Sequence, residues 1–137
     1  MKKPVHVGDS LPDLDAPDIN VERIKAVMTV MGDVNPVHID EEVVKRLGLR
    51  GLVNQGPCNL SYIANMIAAW TGNPDSLVRF QIRFHDTVVP GDVLVAGGRV
   101  SKVIDRGLVE CEVWLKIRGG RNMLSGTATV ALPNDWS

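Results

Sequence analysis

Apolar and polar positions divide this chain into a helical first half and a strand-like second half. The opening residues, 1–19, are rich in Pro, Asp and Gly and predict one short strand near Val5–Val7. Asn20 then stands where a helix cap is favoured, with Glu22 where a carboxylate suits the helix dipole. Val21, Ile24, Val27, Met28 and Met31 follow at helical spacing, and Gly32-Asp33 ends the segment. Asp40 predicts a second cap. Beyond it the acids lie early and the bases late, and Gly48 predicts the stop. Pro57 suits the first turn of a third helix. There Leu60, Ile63, Ala64, Ile67 and Ala68 form one apolar stripe, and Tyr62, Met66, Ala69 and Trp70 make the opposite side apolar as well. A helix apolar nearly all round is a central one.

After Thr71-Gly72-Asn73-Pro74 the period changes from helical to two. Val78, Phe80, Ile82 and Phe84 alternate with Arg79, Gln81 and Arg83. Val93 to Val103 predicts the next strand, with Gly97-Gly98 as a bulge or a point of close packing. Two more alternating runs follow, Val109 to Ile117 and Leu124 to Leu132. The short turns between them imply antiparallel pairing. The predicted class is α+β: an antiparallel sheet wrapped around one long central helix, preceded by a helical excursion, in a single domain over residues 1–137. A sheet covers one face of that helix. The other apolar face and the sheet edge predict a dimer.

Composition narrows the function classes. The 137 residues are 45% hydrophobic and 23% charged, with a formal net charge of −1. That charge gives no electrostatic basis for binding nucleic acid. No apolar run reaches the length of a membrane span, and the basic start is not followed by an apolar signal segment, so a cytoplasmic protein is expected. Cys58 and Cys111 lack metal-ligand spacing and read as buried free thiols; no metal site is expected.

Candidate chemistry concentrates in Gly32-Asp33-Val34-Asn35-Pro36-Val37-His38-Ile39-Asp40. Pro36 cannot continue a helix, and Asn35 before it is pushed toward an extended conformation. The chain therefore turns after Asp33 and can bring His38 back toward it. An acid and a base held at a fixed turn can move protons on and off a substrate. Gly56, eighteen residues after His38, opens the central helix. A helix start offers free N–H groups and a positive dipole end to an oxyanion. Pro57 has no N–H and cannot be a donor there, which leaves the Gly56 N–H together with Cys58 or a water for such a role.

The Asp-x-Asn-Pro-x-His core, the downstream Gly56 and the Val89-Pro90-Gly91-Asp92 turn together resemble the MaoC-like hydratase/dehydratase family, from about Gly8 to Pro133. The resemblance implies a hot-dog fold and reversible syn hydration of a trans-2-enoyl thioester to an (R)-3-hydroxyacyl thioester, with no cofactor. It implies Asp33 and His38 as the catalytic dyad, Gly56 as the thioester-carbonyl donor and Asn35 as a positional residue of the turn. It also marks departures. Gln55 stands where the family usually has His, Ala64 where the short-chain hydratases often have Ser, and Met31 where a small hydroxyl residue is common. The first two bear on oxyanion support and acyl-pocket shape. The implied partner is an acyl-CoA or acyl-carrier-protein thioester. The implied assembly is a homodimer or a heterodimer with a paralogous hot-dog chain, or a higher oligomer.

Arg79 and Arg83 read as a solvated strand face, with contact to coenzyme A phosphates as the functional alternative. Asn59 and Asn65 are unusual on an otherwise apolar helix; they either satisfy buried backbone or line an acyl tunnel. Two other functions compete. A hot-dog thioesterase would use a carboxylate near the central helix, yet no Asp or Glu lies from Gly56 to Thr71. A non-catalytic thioester-binding subunit would not need the Asp33–His38 pair.

Overall fold

In the computed structural model, which describes residues 4–136, the elements run β1 (Ser10–Asp15), α1 (Val21–Met31), α2 (Glu41–Arg46), α3 (Gly56–Thr71), β2 (Leu77–Phe84), β3 (Leu94–Asp105), β4 (Leu108–Ile117) and β5 (Asn122–Ala131). The strands pair antiparallel in the order β1-β3-β4-β5-β2. No helix among the described residues is long and apolar enough to cross a membrane.

The helix starts and stops follow the local chemistry. Asn20 caps α1 by accepting from the Arg23 N–H, and Gly32 closes it at φ +65°. Asp40 caps α2 through the N–H groups of Glu42 and Val43. The first strand lies later than expected. Val5 and His6 are not extended pairs of the sheet, because Gly8 turns the chain at φ +94° and the His6 N–H is held by the Asp9 carboxylate. Main-chain bonds to Val100 of β3 start at Gly8 and Asp9, and the regular ladder with β3 starts at Ser10.

The core lies between α3 and one sheet face. Ile63, Met66 and Ile67 are fully buried against Ala96, Val109, Cys111, Val113, Leu115, Ala128 and Val130. Each such side chain contributes about 1.5–3 kcal/mol by leaving water. The far side of α3 carries Ser61, Asn65 and Ala69, which are exposed in a single chain. By contrast, α1 buries only Ile24 completely, and Met31 at its end is 48% exposed. The first two helices are therefore an excursion attached to the core by few contacts.

Two glycine positions are fixed by close approach. A Cβ on Gly97 would sit 2.6 Å from the Trp114 indole nitrogen, and the β3–β4 register is regular there; the bulges fall later, at Val100/Lys102 and Val103/Asp105. Toward β1 the register shifts between Leu11 and Leu14, opposite Gly97, so the Gly97-Gly98 pair is a point of close packing against β4 and also faces an irregularity in β1. A Cβ on Gly126 would lie 1.9 Å from the Gln81 carbonyl, so the β5–β2 pairing requires glycine.

Candidate active site

The Asp33–His38 turn is built by the backbone in three steps. The Asp33 N–H reaches back to the Met28 carbonyl (3.1 Å) and ends α1 in a Schellman arrangement around Gly32. The Asp33 carboxylate then accepts the Asn35 N–H at Oδ1 (2.9 Å), folding the chain over itself. Asn35 Oδ1 accepts from the Val37 N–H (3.2 Å) and caps a single 3₁₀ turn, Pro36–His38. These bonds bring the second carboxylate oxygen, Asp33 Oδ2, to 3.0 Å from His38 Nε2. The imidazole is buried, and the carboxylate is 31% exposed.

The other ring nitrogen sets the tautomer. His38 Nδ1 lies 2.6 Å from the Val53 carbonyl. A carbonyl oxygen only accepts, so Nδ1 carries a proton and Nε2 is the working nitrogen. Nε2 then faces Asp33 Oδ2 at 3.0 Å, within hydrogen-bond reach. Val53 itself is fixed, because its N–H donates to the Val37 carbonyl (2.9 Å), and the next residue, Asn54, donates to the Val88 carbonyl (2.8 Å). No sequence signal marks Val53, since its part is played by main-chain atoms.

Three residues beyond Val53 the chain enters α3 at Gly56. The Gly56 N–H has no acceptor among the described residues. Cys58, the other candidate donor, is engaged by the Gln55 carbonyl (3.0 Å), so a single free main-chain donor points out of this helix end. A Cβ on Gly56 would meet the Phe84 ring at 3.6 Å, an ordinary contact. Between them lies a cavity of about 400 Å³ lined by Val53, Asn54, Gly56, Asn59, Phe84, His85, Asp86 and Thr87. Val53 is the link between this cavity and the dyad. Its side of the chain meets the cavity while its carbonyl holds His38. The two dyad side chains themselves are not on the wall of this cavity within one chain.

The remaining singled-out residues fall in different places. Gln55 is buried and donates through Nε2 to the Ile24 carbonyl (2.9 Å), tying the start of α3 to α1, while its Oε1 has no partner among the described residues. Ala64 is half-buried two turns along α3 and does not line the cavity. Arg79 and Arg83 are exposed on the edge strand β2. Arg83 shares an open hollow with His85, which also borders the cavity. His85 Nε2 lies 2.6 Å from Ser125 Oγ. Asp92 is a turn residue, as its sequence context implied. Its carboxylate takes both ends of the Arg50 guanidinium (3.1 and 2.9 Å) and the Val89 N–H (3.0 Å). Burial pushes the Asp92 carboxyl up, but the hydrogen bonds and charge of Arg50 outweigh it and hold it below the usual carboxylate range. Nothing in the sequence announced Arg50, forty-two residues away.

The family description "MaoC like domain" matches residues 13–114, most of the chain. This chain belongs to the MaoC-like family. Its five-stranded antiparallel sheet and central helix form a hot-dog fold. The chain is 28% identical over 85 residues to the peroxisomal multifunctional enzyme type 2 of Drosophila melanogaster, a stretch covering 61% of this chain but 14% of that protein. The unliganded R-hydratase PhaJ1 of Pseudomonas aeruginosa superposes with a TM-score of 0.79 at 22% identity, over 94% of this chain and 83% of that one. The ChsH1–ChsH2 complex of Mycobacterium tuberculosis contains a similar chain, with TM-score 0.79, 19% identity and coverage of 93% and 98%. At these identities the two structural likenesses are likenesses of fold.

Proposed function

We propose that this MaoC-like chain is a hydro-lyase that adds water reversibly to a trans-2-enoyl thioester, giving the (R)-3-hydroxyacyl thioester. The thioester is carried on coenzyme A, with an acyl-carrier protein as the alternative carrier. One observation carries the reading: an imidazole whose Nδ1 is held by the Val53 carbonyl and whose Nε2 lies 3.0 Å from Asp33 Oδ2, with the free helix-start N–H of Gly56 three positions along the chain from Val53. Val53 and Gly56 are separated by three residues, at most roughly 11 Å of chain.

In the imidazolium–carboxylate form the pair contains an acid and a base together. Asp33 takes a proton from water as the oxygen attacks C3 of the enoyl group. Negative charge moves to the thioester oxygen, where the Gly56 N–H and the helix dipole stabilise it. His38 Nε2–H then delivers a proton to C2 on the same face. Water is consumed, its hydroxyl resides on C3, Asp33 retains the proton taken from water, and the imidazole that gave its proton to C2 is left neutral. Transfer across the 3.0 Å contact resets the pair. Asn35 holds the turn, and Gln55 holds the helix start against α1. Ala64 is proposed to shape the acyl channel two turns further on. Arg79 and Arg83 are the proposed contacts for coenzyme A phosphates, supported by their exposure and by the position of Arg83 beside His85 at the cavity.

The proposed assembly is with a second hot-dog chain, identical or paralogous. Support comes from the free edge of β2 and its exposed Val78 and Phe84. The deciding experiment incubates the purified protein with enoyl-CoAs from crotonyl upward, including bulky ring-bearing acyl groups, and follows loss of enoyl absorbance. Turnover supports the reading. Release of free thiol without hydration would instead favour a thioesterase, and inertness toward every thioester would refute catalysis.

A further inference from the structure

We infer that the cavity beside Gly56 selects acyl groups that carry a hydroxyl or similar oxygen substituent a few carbons beyond the thioester, read by Asn54 and Asn59. This rests on the hydratase reading above and names its substrate class.

The two amides are 5% and 3% exposed, yet both line the cavity. Asn59 lies on the buried face of α3, next to positions filled by Ile63, Met66 and Ile67. An apolar side chain there would pack without leaving polar atoms to satisfy. Asn54 Nδ2 donates to Asn59 Oδ1 (2.7 Å) and to the Tyr62 hydroxyl (3.1 Å). Those two bonds use both of its hydrogens. Among the described residues, Asn54 Oδ1 and the Asn59 NH₂ then have no protein partner. Turning both amides over gives an equally bonded cluster, in which Asn54 Oδ1 accepts from Asn59 and Tyr62. That arrangement also leaves one amide NH₂ and one amide carbonyl over. In either case the wall offers a donor and an acceptor side by side, the complement of a hydroxyl.

The position of the substituent follows from helix geometry. Asn59 is three residues past Gly56, about 4.5 Å along α3, which matches roughly three or four carbon–carbon bonds of an acyl chain whose carbonyl sits at Gly56. An unsubstituted alkyl chain entering here strips water from both amides and returns nothing. Sites built to hydrogen-bond a substrate group discriminate strongly against analogues lacking it.

The test compares trans-2-hexenoyl-CoA with 5-hydroxy-trans-2-hexenoyl-CoA on the wild-type protein. The hydroxylated substrate is expected to show a kcat/KM on the order of 10- to 100-fold higher. Asn59→Leu and Asn54→Leu, checked for folding by circular dichroism, are expected to bring the ratio toward one, chiefly through better use of the alkyl substrate. Equal rates, or preference for hexenoyl-CoA by the wild type, would overturn the inference and leave the hydratase reading standing. Inertness of both substrates, with every other enoyl-CoA also inert, would remove that reading and the inference with it. A folded leucine variant that keeps the full preference would show that these amides do not read the substituent. The wild-type comparison decides the matter even where a variant fails to fold.

Discussion

Replacing the Asp33 carboxylate with an amide separates its two duties. Asn at this position still offers an oxygen to the Asn35 N–H, so the turn persists. It no longer takes a proton from water. Asp33→Asn is expected to lower kcat by about 10²–10⁴-fold with an unchanged thermal midpoint; an unaltered rate would remove Asp33 from the reaction. Thiol chemistry gives a second check at this scale. Burial pushes the Cys111 thiol up to about 12, and the residue is 0% exposed, whereas Cys58 is half-buried with a smaller rise. Near pH 8 a thiol reagent should therefore modify Cys58 slowly and reach Cys111 only after denaturation. Two modified thiols in the native protein would mean that the sheet interior opens. The Asp33–His38 contact was legible from sequence because the bonds that fold the turn between them span five residues or fewer. The Val53 carbonyl was not, because main-chain atoms are the same at every position and only the fold chooses one.

At the scale of elements, the turn before β3 is held by a clamp rather than by propensity. Arg50 joins Asp92 and the Thr87 carbonyl, securing the loop whose Val88 carbonyl positions Asn54. Arg50→Ala leaves a carboxylate with 10% side-chain exposure without its hydrogen-bonded cation, with only the more distant charge of Arg121 remaining. Because Arg50 is itself 39% exposed, the expected cost at pH 7 is discounted to about 1–3 kcal/mol. The Asp92 carboxyl is depressed in the folded chain, so its contribution is full above the unfolded value near 4 and is lost as pH falls through the folded value. Thermal melts of wild type and Arg50→Ala should thus differ at pH 7 and converge as pH falls through the depressed folded value of Asp92; a constant difference would place the effect in packing alone. Gly126→Ala tests the sheet in the same way. Its new Cβ collides with the Gln81 carbonyl, so β2 must leave β5 and faster amide exchange should appear in residues 77–84. Helix starts and strand alternation were readable here because capping side chains and a period of two are local. The place of β1 was misjudged because Val5–Val7 has the right composition, while the turn at Gly8 sets where pairing begins.

For the whole molecule, the question is what covers the free edge of β2. This strand pairs with β5 on one side only, and it exposes Val78 at 61% and Phe84 at 49%. Phe84 also forms part of the cavity wall beside Gly56, so the edge and the proposed site share a residue. An uncovered edge with apolar side chains is a template for association. A second copy meeting this edge about a twofold axis would extend the sheet and enclose the cavity. Sequence could indicate an unpartnered helix face but could not choose between that face and the strand edge, because burial in one chain decides it: the far side of α3 presents Ser61 and Asn65, which tolerate water. The chain is therefore expected to sediment at twice its 14.9 kDa or more, and Val78→Lys is expected to shift it toward monomer with an unchanged circular dichroism spectrum. Loss of hydratase activity in step with dissociation would place the working cavity in the assembly. A wild-type monomer that stays active would mean that one chain encloses its substrate alone. A wild-type monomer that is inert but becomes active with a paralogous hot-dog chain would assign the edge to a heteromeric partner.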